Sequence, residues 1–243
     1  MSKTFNLLPL LPSRLRGGGP RRVMIVLAAV VIVLLLTIVP SLAHGVSARD
    51  QSFLARAEGQ KLAPFVYLGA KHMVTGVDHL LYLLGVIFFL GKLRDVVLFA
   101  SLFSLGHSIT LLTGVLGQIQ MNAYLIDAVI GLSVSYKAFE NLGHVRGINP
   151  KLAVFAFGLI HGFGLASKLQ DLGLSRDGLV ANMLAFNVGV EMGQAIALLG
   201  LFAGLQWLRA CRPFATISRA ANWAIFTCGL VLIGMQATGY FIE

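Results

Sequence analysis

From residue 63 onward the chain alternates between long apolar runs and short polar connections. Six runs stand out, at 63–90, 96–116, 123–140, 152–169, 179–208 and 220–241. Each approaches or exceeds the ~20 residues a helix needs to cross ~30 Å of hydrocarbon. The runs are continuous and too long for buried strands, so the pattern predicts helices. The connections at 91–95, 117–122, 141–151, 170–178 and 209–219 are short, which folds the six helices into one bundle rather than several domains. A further apolar run at 23–39 follows a basic stretch (Lys3, Arg14, Arg16, Arg21, Arg22) and leads into Pro40-Ser41-Leu42-Ala43. Basic start, apolar centre and small residues predict a signal peptide cut after Ala43, with an uncleaved anchor as the alternative. The expected architecture is an all-α membrane protein. Residues 1–43 are signal peptide or anchor, 44–62 a periplasmic segment, and 63–243 a six-helix transmembrane bundle.

Composition agrees with the pattern. Apolar residues make up 57% of the chain and charged residues 12%, against about a quarter charged in a soluble domain, and the mean hydropathy is +0.82. The net charge of +9 is concentrated in the first 22 residues and in loops, where it orients a membrane protein and does not argue for nucleic acid as a partner. With residue 44 outside, the loops expected inside carry Lys92, Arg94, Arg146, Lys151, Arg209, Arg212 and Arg219. The outer segments carry Arg49, Arg56, Lys61, Lys168 and Arg176. This bias favours a bacterial inner-membrane location with the mature N-terminus outside. Cys211 and Cys228 form neither a disulfide framework nor a zinc ribbon. The ATP-binding pattern Gly-x-x-x-x-Gly-Lys-Ser/Thr is absent from the sequence, so any transport is passive, ion-coupled or driven by a partner.

The candidate chemistry lies inside the apolar runs. Gly69 to His79 holds Lys71, His72, Asp78 and His79, although an ionisable group in hydrocarbon costs roughly 2.5–3.5 kcal/mol or more without a partner. His72, Gly76 and His79 fall at i, i+4 and i+7, on one helical face. Counted from the outer end of each run, His72, His107 and His161 come out ~13 Å deep and Asn187 and Glu191 ~12 and ~18 Å, with His79 an outlier at ~24 Å. Asn187, Glu191 and Gln194 also share a face. Glycines flank nearly every one of these groups, and small residues let membrane helices approach closely. Thr75, Ser108, Asn187 and Gln194 are placed to support the ligands by hydrogen bonds. A lone intramembrane histidine ordinarily bonds a neighbouring helix. Four near one slab with two carboxylates point instead to a metal or proton function, because imidazole is the commonest ligand for zinc, copper, iron and nickel.

Several blocks then resemble the HupE/UreJ family of membrane proteins associated with hydrogenase and urease. They are Gly69-x-x-His72, Gly76-x-Asp78-His79, Leu105-Gly106-His107-Ser108-Ile109-Thr110-Leu111, Leu132-Ser133-Val134, Gly158-Leu159-Ile160-His161-Gly162-Phe163-Gly164 and Phe186-Asn187-x-Gly189-Val190-Glu191-x-Gly193-Gln194. The resemblance covers roughly residues 64–200 and implies nickel handling, since some members are regarded as nickel permeases. It implies metal contacts at His72, Asp78, His79, His107, His161 and Glu191. It departs at the N-terminus, where His44 stands alone in place of a richer histidine segment. The expected function is binding or permeation of a divalent transition metal, nickel foremost, with zinc, copper and iron as alternatives. An intramembrane metalloenzyme acting on a lipid-like substrate, or an accessory subunit partnered with other membrane subunits, is the competing expectation. Against a conduit, 80–90 and 196–205 are almost wholly apolar.

Overall fold

The structure is a computed structural model that describes residues 59–242, apart from 146–147, 172–174 and 211–213. The expected signal peptide, His44, nearly all of the periplasmic segment and Cys211 lie outside the described residues. Seven helices and no strand make up the rest: α1 (Leu62–Thr75), α2 (Val77–Ile87), α3 (Leu93–Gly117), α4 (Ala123–Asn141), α5 (Pro150–Gln170), α6 (Leu179–Ala210) and α7 (Phe214–Ile242). Their starts follow local chemistry. Asn122 accepts a hydrogen bond from Leu125 N at the head of α4, and Asn149 one from Lys151 N at the head of α5, with Pro150 in the first turn.

Four helices, α3, α5, α6 and α7, are long and apolar enough to cross a membrane by length and composition. Two expectations are refined. The run 63–90 is two helices, because Gly76 leaves the helical backbone (φ −71°, ψ 97°). The run 123–140 forms α4, but Asp127, Lys137 and Glu140 hold it below the apolarity of a self-evident crossing. Phe88, next to the end of α2, is buried and stacks on Phe214.

Close glycine contacts bind the long helices in three pairs. Gly69 and Gly189 bring α1 against α6: a Cβ on Gly69 would collide with the Phe186 carbonyl, and one on Gly189 with the Val66 carbonyl. Gly106, Gly158 and Gly162 do the same between α3 and α5, and Gly131 and Gly229 between α4 and α7. Without a hydrophobic drive between helices in lipid, close packing of this kind supplies the attraction. The order of the contacts makes α1 and α6 parallel, α3 and α5 parallel, and α4 and α7 antiparallel.

α2 fills the space the pairs enclose. Its 11 residues reach about 16 Å, half of a bilayer's hydrocarbon, and seven of them are buried: His79, Leu81, Tyr82, Leu83, Gly85, Val86 and Ile87. A buried helix end needs partners for its last carbonyls, and side chains from other helices provide them. Asn141 Nδ2 donates to the Gly85 carbonyl at 2.8 Å, and Arg209 donates to those of Phe88 at 2.7 Å and Ile87 at 3.4 Å. The cation also opposes the negative end of the α2 dipole.

Gly189→Ala should therefore destabilise the protein by about 1–3 kcal/mol through overpacking, seen as a lower thermal unfolding midpoint in detergent. Gly204, which faces open space, should tolerate alanine without loss. Equal midpoints for the two variants would contradict the pairing.

Candidate metal centre

The break at Gly76 sets the geometry. His72 lies one turn before it on α1 and His79 in the first turn of α2. On an unbroken helix they would stand about 10 Å apart along the axis, yet their ring centroids are 5.0 Å apart, edge to face. This accounts for the outlying depth counted for His79. No larger residue fits at the break, since a Cβ on Gly76 would lie 2.8 Å from His79 Nδ1. His107 arrives from α3 with its ring 5.7 Å from that of His79, and His161 from α5 at 5.0 Å. His79 is thus the hub of four imidazoles from four helices.

His72, His79 and His107 each present a ligand nitrogen within 4.8 Å of the other two, the one such group among the described residues. Nitrogens around a single ion at about 2.0–2.1 Å sit roughly 3–4 Å apart, so small side-chain movements close the set. His161 stands beside this trio as a fourth donor.

The hydrogen bonds leave the right atoms free. His79 Nδ1 donates to Asp78 Oδ1 at 3.0 Å, and His161 Nδ1 to the Phe157 carbonyl at 2.7 Å. A carbonyl only accepts, so Nδ1 of His161 carries the proton and Nε2 of the neutral ring keeps its lone pair. A carboxylate or carbonyl on the far nitrogen is the usual support of a metal-binding histidine. His79, His107 and His161 are 3%, 0% and 1% exposed. Five buried ring nitrogens nonetheless have no hydrogen-bond partner: Nε2 of His72, His79 and His161, and both nitrogens of His107. Leaving a buried polar atom unsatisfied costs about 1–3 kcal/mol. One cation would engage several of them together, and a set of neutral imidazoles suits nickel, zinc, copper or iron.

The remaining sequence candidates divide. Asp78, in the first turn of α2, is brought in as the partner of His79. Glu191 is not brought into the ring cluster: it stands on an exposed face of α6 with Ser104 Oγ 3.5 Å from its Oε1. Thr75 donates to the Lys71 carbonyl rather than to a histidine. Ser108 is half-buried, while Asn187 and Gln194 are buried on α6 and donate to the Met183 and Ala100 carbonyls. Asp127 pairs with Lys168 at 2.7 Å, as Lys137 does with Glu140.

Sequence reasoning missed the walls and the braces. Phe103 packs on His79 and His161, Tyr82 on His161, and Phe186 on His72. Thr110 Oγ1, buried between α3 and α5, donates to the Leu159 carbonyl at 2.6 Å and fixes the turn that carries His107. The signal for Phe157 and Phe103 was their position one helical turn before His161 and His107.

With the rings converging beside a broken helix, the match to known proteins falls into place. Residues 48–243 match the family described as HupE / UreJ protein. The chain belongs to the HupE / UreJ family. No curated protein and no solved structure matches it. Family membership and the four long apolar helices together mark a multi-pass membrane protein.

Asp78→Ala should weaken metal binding about 10–100-fold by removing the support of His79. Nickel retained after equilibrium dialysis, measured by elemental analysis, checks this. Unchanged retention would show that the Asp78–His79 bond plays no part.

Proposed function

We propose that the protein binds a divalent transition metal, nickel foremost, within the bilayer and passes it across the bacterial inner membrane. On this reading α1 with α2, α3, α4, α5, α6 and α7 make six crossings. Parallel pairing of α1 with α6 and of α3 with α5, and antiparallel pairing of α4 with α7, is what six alternating crossings require. His72, His79 and His107 would hold the ion, His161 would serve as a further donor, and Asp78 would orient His79.

The observation that carries the reading is the set of five unpartnered, buried ring nitrogens. Structural histidines in a membrane bundle acquire hydrogen-bond partners, because hydrocarbon supplies none. The ion is cargo. It exchanges water for imidazole nitrogens, and uptake of protons by those nitrogens opposes its binding. The hydrolytic alternative needs a carboxylate placed to take a proton from metal-bound water. Asp78 is engaged by His79 and Glu191 stands outside the rings, so the arrangement favours holding an ion over hydrolysis.

Metal and stability should be coupled in opposite directions in two proteins. Nickel at a hundredfold excess over its dissociation constant should stabilise the wild type by about 2.7 kcal/mol. His107→Leu should abolish that response while stabilising the metal-free protein by about 1–3 kcal/mol, since two orphaned polar atoms are replaced by a side chain without any. Thermal unfolding in detergent with and without nickel reads both. A wild type indifferent to nickel, zinc, copper and iron would sink the proposal.

A further inference from the structure

A second group of unsatisfied atoms lies along the seam of α3 and α6. Gln194 is 3% exposed and Asn187 7%. Each amide spends its nitrogen on a carbonyl, of Ala100 at 2.9 Å and of Met183 at 3.1 Å, and Gln194 Oε1 and Asn187 Oδ1 are left buried without a partner. Between them in sequence is Glu191, reached by the Ser104 hydroxyl. The contacts Ala100–Gln194 and Ser104–Glu191 set α3 and α6 antiparallel and one turn apart. One further turn in the same direction brings Asn187 level with His107 and Ser108. The seam therefore starts at the imidazole centre and runs about 10 Å along α6, through Asn187, Glu191 and Gln194. Beyond Gln194 it is closed by buried Leu198 and Leu205.

We propose that this seam is a second cation station, which receives a divalent ion released from the imidazoles and holds it with the oxygens of Asn187, Ser104, Glu191 and Gln194. The inference rests on the metal reading above and adds a place and a direction to it. Oxygen donors bind a borderline transition ion less tightly than imidazole does and suit an ion that keeps part of its water. Conduction needs such graded, escapable sites in series. The seam also gives Glu191 a use. It stands among the exposed apolar side chains Val188, Met192 and Ile196, where a carboxylate is costly and typically marks an ion path. From there its charge acts on a cation in the seam through a medium of low dielectric.

The test uses the full chain, with equilibrium nickel binding in detergent and nickel uptake into liposomes holding a metal-sensitive dye. Gln194→Leu and Glu191→Gln should each slow uptake about ten-fold or more while retaining the nickel bound by the wild type, and retained binding shows that the variants are folded. Gln194→Glu, which restores an oxygen, should recover uptake relative to Gln194→Leu. Wild-type uptake rates in both Gln194→Leu and Glu191→Gln would overturn the inference, as would loss of bound nickel equal to that of His107→Leu, which would make the seam part of the first site. A wild type that binds nickel but transports none overturns the inference and leaves the metal centre standing. A wild type that binds none removes the metal reading itself.

Discussion

Backbone that leaves the helix inside a bilayer must be surrounded by protein, because hydrocarbon offers its polar groups no partner. On the six-crossing reading proposed above, the extended residue Gly76 and the short helix α2 are held to that condition, and the rest of the bundle meets it. Three glycine-contact pairs surround α2, and Asn141 and Arg209 close its exposed carbonyls. The same enclosure leaves room at the head of α2 for rings from α1, α3 and α5. Break and centre are therefore one construction. The step in the backbone turns His79 back toward His72, and the packing that shelters the step delivers His107 and His161.

Within the centre the hydrogen bonds act as a wiring scheme. Two imidazoles are fixed by acceptors at Nδ1, a carboxylate for His79 and a main-chain carbonyl for His161. Aromatic rings from Tyr82, Phe103 and Phe186 surround them and exclude water that would otherwise satisfy the free nitrogens. Apolar walls and unpartnered ring nitrogens together would suit, on the proposed reading, a cation with affinity for nitrogen.

Much of this was legible in the chain itself. The long apolar runs located the helices, and glycine beside each histidine foretold close approach, which contacts such as Gly162 with His107 bear out. The break was not legible, because Gly76 sits within one continuous helix-length run and a single glycine is compatible with a helix interior. Only the shape of the surrounding bundle decides it. The setting of Glu191 was not legible for a related reason. Shared periodicity with Asn187 and Gln194 puts three residues on one side of α6, but the stripe is wide enough for its edge to be open while its centre is buried. Composition likewise cannot tell which apolar side chains, such as Phe88, meet Phe214 and which meet acyl chains.

The partners in all three glycine pairs are far apart along the chain, and this bears on biogenesis. Gly69 docks on Phe186 and Gly106 on Phe155, so neither contact exists while the first helices leave the ribosome and enter the lipid. On the six-crossing reading, His72, His79 and Asp78 then enter the membrane before any enclosing wall is present. They can persist there only near water, near the insertion machinery, or shallowly placed. The wall that Phe186 gives His72 is added only once α6 has been made, and the α4–α7 contact only once α7 has.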